Sequence, residues 1–142
     1  MSLDLDALET SFDVVAPQGD QLMDEFYTRL FEAAPAVKPL FAGTDLKRQK
    51  TILLGTLVLL RKSVRNLEAI VPKLRELGAR HVAYGAQPEH YPVVGEVLIG
   101  AMASVAGHDW RPEYERAWGA AFEIVAGAMI EGAELASLDA AA

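Results

Sequence analysis

The chain has 142 residues, enough for one domain with a sizeable core, and 51% of them are hydrophobic, a globular rather than a disordered composition. A net charge of −7 argues against nucleic acid as a partner, and the lack of cysteine excludes disulfides, zinc ribbons, iron–sulfur clusters and thiol nucleophiles. No apolar run approaches the roughly 18 residues of a membrane span, and the acidic start MSLDLDALE has no basic and apolar signal regions, so a cytoplasmic protein is expected.

The pattern reads as helix throughout. Leu5, Leu8, Phe12 and Val15 recur at helical steps, and Pro17 and Gly19 interrupt that first segment. A second helix is predicted over about 18–34, with Leu22, Phe26, Leu30 and Phe31 as its apolar face. Pro35 and Pro39 bracket a corner that ends at Phe41. After the loop at 42–45, Thr44 or Asp45 can cap a helix over about 46–65. The next helix, about 67–82, has Leu67, Ile70, Val71, Leu74 and Leu77 facing inward, and Pro72 imposes a break or a late start. A loop at 84–88 leads to a helix over about 89–106, then a Gly107–His108–Asp109 turn. Pro112 opens a last helix to about 135, with a frayed SLDAAA end. Strand alternation, repeats and linkers are lacking, so a single all-helical domain over 1–142 is expected. Unequal helices with proline-marked corners suit crossed packing better than a four-helix bundle.

Charge is unevenly placed. Residues 47–80 carry nine of the thirteen Lys and Arg against two acids, +7, which leaves −14 on the rest. Such a segment is either a solvated helix face or a positive rim around an anionic ligand. Motifs for phosphate loops, dinucleotide folds, zinc proteases and serine hydrolases are missing. Of the histidines, His81 ends an apolar helix face. It can serve the helix C-terminus, or it can offer a neutral imidazole to a metal if the Leu77 carbonyl accepts from Nδ1 and leaves Nε2 free. His90 and His108 fall in or beside loops and suit surface roles. Tyr27 lies on an apolar stripe between Met23 and Phe31, either as a core tyrosine or as a hydrogen-bond donor into a site. Gln49, in the first turn of its helix, is either solvated or part of that site.

Taken together, these segments resemble the globin family, and within it the bacterial single-domain globins and the haem domain of flavohaemoglobins. The motifs are FYTRLF at 26–31, PAVKPLF at 35–41, NLEAIVPKLRELG at 66–78, Arg80–His81 followed by the PEHYPVVG run at 88–95, and AWGAAF at 117–122. They run in the family's order across almost the entire chain. The resemblance implies a globin fold, with helices crossed around a haem b pocket. It implies His81 as the proximal iron ligand, Phe41 as the residue wedging the haem, and Tyr27 and Gln49 as the distal pair. Leu53 would be the apolar residue over the iron, and Tyr91 the tyrosine near the proximal histidine. Lys47, Lys50 and Arg80 are candidates to meet the haem propionates.

One departure stands out. The glutamate that flavohaemoglobins place on the last helix, against the proximal histidine, falls on Ala133 here, with Glu131 and Glu134 as neighbours. The functions implied are reversible oxygen binding or transport, with O2, NO or CO as ligands, and nitric oxide detoxification by dioxygenation. With no room for a flavin or nicotinamide domain in 142 residues, turnover is expected to depend on an external reductase. Alternatives are a haem peroxidase or redox enzyme, which the loss of the glutamate weakens, and a gas sensor. The chain is expected to act as a monomer or a homodimer.

Overall fold

A computed structural model describes residues 4–141, and the side chains of these apart from Ala83 and 137–141. Among the described residues there are six α-helices and no strand: α1 (Leu5–Val15), α2 (Gly19–Ala33), α3 (Leu46–Ser63), α4 (Val71–Ala83), α5 (His90–Ala106) and α6 (Pro112–Ala141). Short 3-10 segments join them at Ala16–Gln18, Pro35–Phe41, Val64–Ile70 and Gly107–Asp109.

The helix ends follow from local chemistry. Asp4 caps α1 by accepting from Ala7 N at 3.0 Å. Asp45 caps α3 by accepting from Lys47 N and Arg48 N at 3.1 and 3.3 Å. Gly107, at φ +59°, supplies the left-handed residue that stops α5. Pro72 sits in the first turn of α4, where its missing N–H costs nothing, so α4 starts late. The stretch before it is not the helix that periodicity suggests: Val64–Ile70 is 3-10, with Asn66 out of helical conformation at φ −148°, ψ 57°. At the other end, α6 continues to Ala141 rather than fraying near 135, since Leu135 and the alanines beyond are strong helix formers; Ala142 lies outside the described residues.

The core is built from the faces expected of α1 and α2. Leu8, Phe12 and Val15 pack with Leu22, Met23, Phe26 and Leu30, and with Leu98, Ala101, Met102 and Trp118. Its single buried polar side chain among the described residues is Ser11. The Trp118 indole N–H donates to Ser11 Oγ at 2.7 Å, and the hydroxyl donates onward to Leu8 O at 3.1 Å, so both polar groups are satisfied. α2 lies on α5, α1 on α6, and α4 runs against α6 rather than against α3. That leaves the apolar face of α3 thinly covered: only Leu57 is buried, and Ile52 is 51% exposed.

Part of the positive segment is neutralised on α1. Arg61 donates to both Asp13 carboxylate oxygens at 3.0 Å and to Glu9 at 3.2 Å. Arg65 reaches Glu9 at 2.6 Å and Asp6 at 2.8 Å. These shared carboxylates strap α1 to the end of α3 and the turn beyond it. No helix among the described residues is long and apolar enough to cross a membrane.

Candidate functional site

His81 stands near the C-terminal end of α4, half-buried. Its Nδ1 lies 2.6 Å from Leu77 O. A carbonyl oxygen only accepts, so Nδ1 carries the proton and donates, which leaves the Nε2 lone pair unused. Among the described residues nothing hydrogen-bonds to Nε2. The Tyr84 ring packs edge-on against the imidazole with centroids 5.4 Å apart. Tyr84 was not picked out from the sequence, although its place three residues after His81 puts it on the same side of a helix end.

Tyr27 on α2 is buried in an aromatic cluster. Its ring meets Phe26 and Phe41 edge-to-face at 4.9 and 5.8 Å, and Phe31 lies against both Tyr27 and Phe41, at 6.1 and 5.5 Å. Phe41 is thereby locked at the corner that Pro35 and Pro39 create. Burial pushes the Tyr27 phenol above its ordinary value, partly offset by the neighbouring Gln49 side chain from the first turn of α3. The hydroxyl therefore stays protonated. Leu53 follows Gln49 by one turn and is half-buried against the core.

Two of the three candidate cations have partners. Lys50 pairs with Asp24 at 2.9 Å and Arg80 with Glu76 at 2.7 Å, while Lys47 is exposed and makes no ion pair among the described residues. His90 is occupied in its loop, its Nδ1 accepting from Gln87 N at 3.0 Å, and His108 is exposed. Tyr91 is half-buried, and burial raises its phenol pKa. It lines a cavity of about 570 Å³ together with Val82, Gln87, Ile130, Ala133 and Glu134. Glu131 points elsewhere, to Arg75 at 2.8 Å.

These residues fit a haem. The donor set is one imidazole whose Nε2 has no hydrogen-bond partner among the described residues, which suits an iron already held in a porphyrin and not a bare ion. Half-covered apolar side chains at Phe41, Leu53 and Leu77 offer the surface a large apolar disc requires.

The globin family model matches residues 24–129, and the chain belongs to the globin family. The flavohemoprotein of Bacillus subtilis is 29% identical over 89% of this chain, and that of Bacillus thuringiensis 31% over the same share. The alignments cover 32% and 31% of those proteins, so the chain spans about a third of the length of the curated relatives it matches. Among solved structures, a bacterial globin from Campylobacter jejuni superposes with a TM-score of 0.79 at 25% identity, covering 92% of this chain and 94% of that one. The all-α globin fold expected from the motifs is therefore the fold of the chain, and haem and oxygen binding are properties of its family.

Proposed function

We propose that this protein binds haem b through His81 and holds a diatomic gas, oxygen in the first place, against Tyr27 and Gln49. The observation that carries the proposal is the pairing of two features. One is an imidazole whose Nδ1 is committed to Leu77 O, and the other is a buried tyrosine, Tyr27, with the Gln49 side chain beside it. When bound, the haem would be held by His81 and would supply an iron able to take up the gas.

The chain's own residues do the rest. The Leu77 carbonyl fixes the tautomer and direction of His81. Tyr27 and the Gln49 amide offer hydrogen-bond donors to a polarised ligand, and Leu53 and Phe41 limit access of water to it. Low local dielectric makes such donors more effective than in solvent. Lys47 is free to meet a propionate. Lys50 and Arg80 sit in exposed ion pairs, a kind worth about 0–1 kcal/mol, and can exchange partners at little cost.

With an external reductase the same site supports nitric oxide dioxygenation, in which O2, NO and one electron give nitrate. That reading draws on the flavohemoprotein relatives. A peroxidase is disfavoured because the histidine's partner is a neutral carbonyl, which raises the basicity of an imidazole less than a carboxylate does.

The test is the visible spectrum of the haem-reconstituted protein, ferric, reduced with dithionite, then under CO and under air. Stoichiometric haem uptake, histidine-ligated CO and oxygen spectra, and their loss in His81→Ala are expected. A protein that takes up no haem would refute the proposal.

A further inference from the structure

α4 and α6 touch backbone to backbone at two glycines. A methyl group added at Gly78 would overlap the Met129 carbonyl oxygen, and one at Gly132 would overlap the Arg75 carbonyl oxygen. The contact is reciprocal: each helix presents a glycine to a carbonyl of the other. Both would-be clashes are with backbone, so no rotamer relieves them and only separation of the helices would. At the same crossing the Arg75 guanidinium holds Glu131 at 2.8 Å, the charged complement of the same contact. By contrast, an alanine at Gly119 or Gly127, also in α6, would meet nothing within 4 Å. Gly132 is therefore a packing requirement, not a general tolerance of α6 for glycine.

Gly78 lies three residues before His81 in the same helix. We infer that Gly78 and Gly132 are positioning residues: their contact sets where α4 stands, and through it where the His81 imidazole stands relative to the iron it binds. The inference rests on the reading of His81 as that ligand. The hydrogen bond from Nδ1 to Leu77 O lies within α4 and travels with the helix, so the imidazole follows any displacement of the backbone. Displacement of a functional group by on the order of 1 Å is enough to change its rates substantially.

The experiment uses the reconstituted full chain with resonance Raman spectroscopy of the ferrous, ligand-free state. The iron–histidine stretching band reports the strain and tilt of that bond directly. Gly132→Ala and Gly78→Ala are expected to shift or split the band and to alter the CO association rate. Gly119→Ala and Gly127→Ala are expected to leave both unchanged. Thermal unfolding of the haem-free variants checks the crossing separately from haem chemistry. If the glycine variants do not fold, Arg75→Gln removes the ion pair at the crossing without adding volume, and a smaller broadening of the band is expected. A band unaltered in Arg75→Gln and in whichever glycine variant folds would overturn the inference. A wild-type protein that binds haem without any iron–histidine band would instead remove His81 from the ligand role and leave the helix contact standing.

Discussion

Replacing Tyr27 by phenylalanine isolates one hydroxyl. The ring is 3% exposed and is held edge-on by Phe26 and Phe41, contacts that phenylalanine reproduces. What is lost is the buried O–H and its capacity to donate to a ligand. Gln49 is only half-buried and turns to water, so the core loses little. A neutral hydrogen bond contributes roughly 0.5–1.5 kcal/mol net. At about 1.4 kcal/mol per factor of ten, oxygen should dissociate about two- to tenfold faster. Stopped-flow displacement of oxygen by CO from the reduced holoprotein gives the rate, and a melting curve checks the fold. Gln49→Leu should fall in the same range. The double variant should depart from the sum of the two, since the two side chains are neighbours. An unchanged off-rate in a normally folded Tyr27→Phe protein would refute the distal role.

Three further outcomes follow from the structure. Ser11→Ala leaves the buried Trp118 N–H without its acceptor and should cost about 1–3 kcal/mol in urea unfolding; a midpoint identical to wild type would show that the network contributes nothing. The Arg65 hydrogen bond depresses the Glu9 pKa and the Arg61 hydrogen bond depresses that of Asp13. Groups depressed on folding stabilise above their unfolded values of 4.5 and 3.8, and that contribution is lost as pH falls through the folded ones. Melting temperature should therefore drop on acidification below about pH 4.5, and less steeply in Arg65→Gln. Tyr27 has the opposite sign: its raised pKa favours the folded state below 10.0, and that contribution disappears as pH rises. Apo-protein melts in alkaline buffer should show a decline that Tyr27→Phe reduces; identical alkaline slopes would contradict the burial of an ionisable phenol.

How much the sequence shows depends on distance along the chain. The His81–Leu77 hydrogen bond is an i, i−4 contact, and helical spacing alone makes it available. The Asp45 cap and the late start at Pro72 are local too. Tyr27 and Gln49 sit on different helices, so periodicity leaves each with an ordinary core or solvent reading, and only the ordered motifs bring them together. The basic segment illustrates the opposite failure. Its +7 is plain from counting, yet Arg61 and Arg65 are spent on acids 48 to 59 residues away, which the count does not reveal. The glycine crossing is equally silent, because Gly78 and Gly132 look no different in sequence from Gly119 and Gly127. Helix-to-helix registry decides which of them is indispensable.

The bond between Trp118 and Ser11 spans 107 positions of the chain. A ribosome makes Leu8, Phe12 and Val15 early, but the indole that completes their pocket emerges only after α5 and the start of α6. During that interval the apolar face of α1 has no finished place to go, at a synthesis rate of about 5–20 residues per second. The strap of Arg61 and Arg65 onto Asp6, Glu9 and Asp13 closes much sooner, as soon as the end of α3 is out. Those ion pairs contribute little to the finished protein, since exposed pairs are weak. They are nonetheless contacts of α1 whose two sides are both present in the chain well before Trp118 is made.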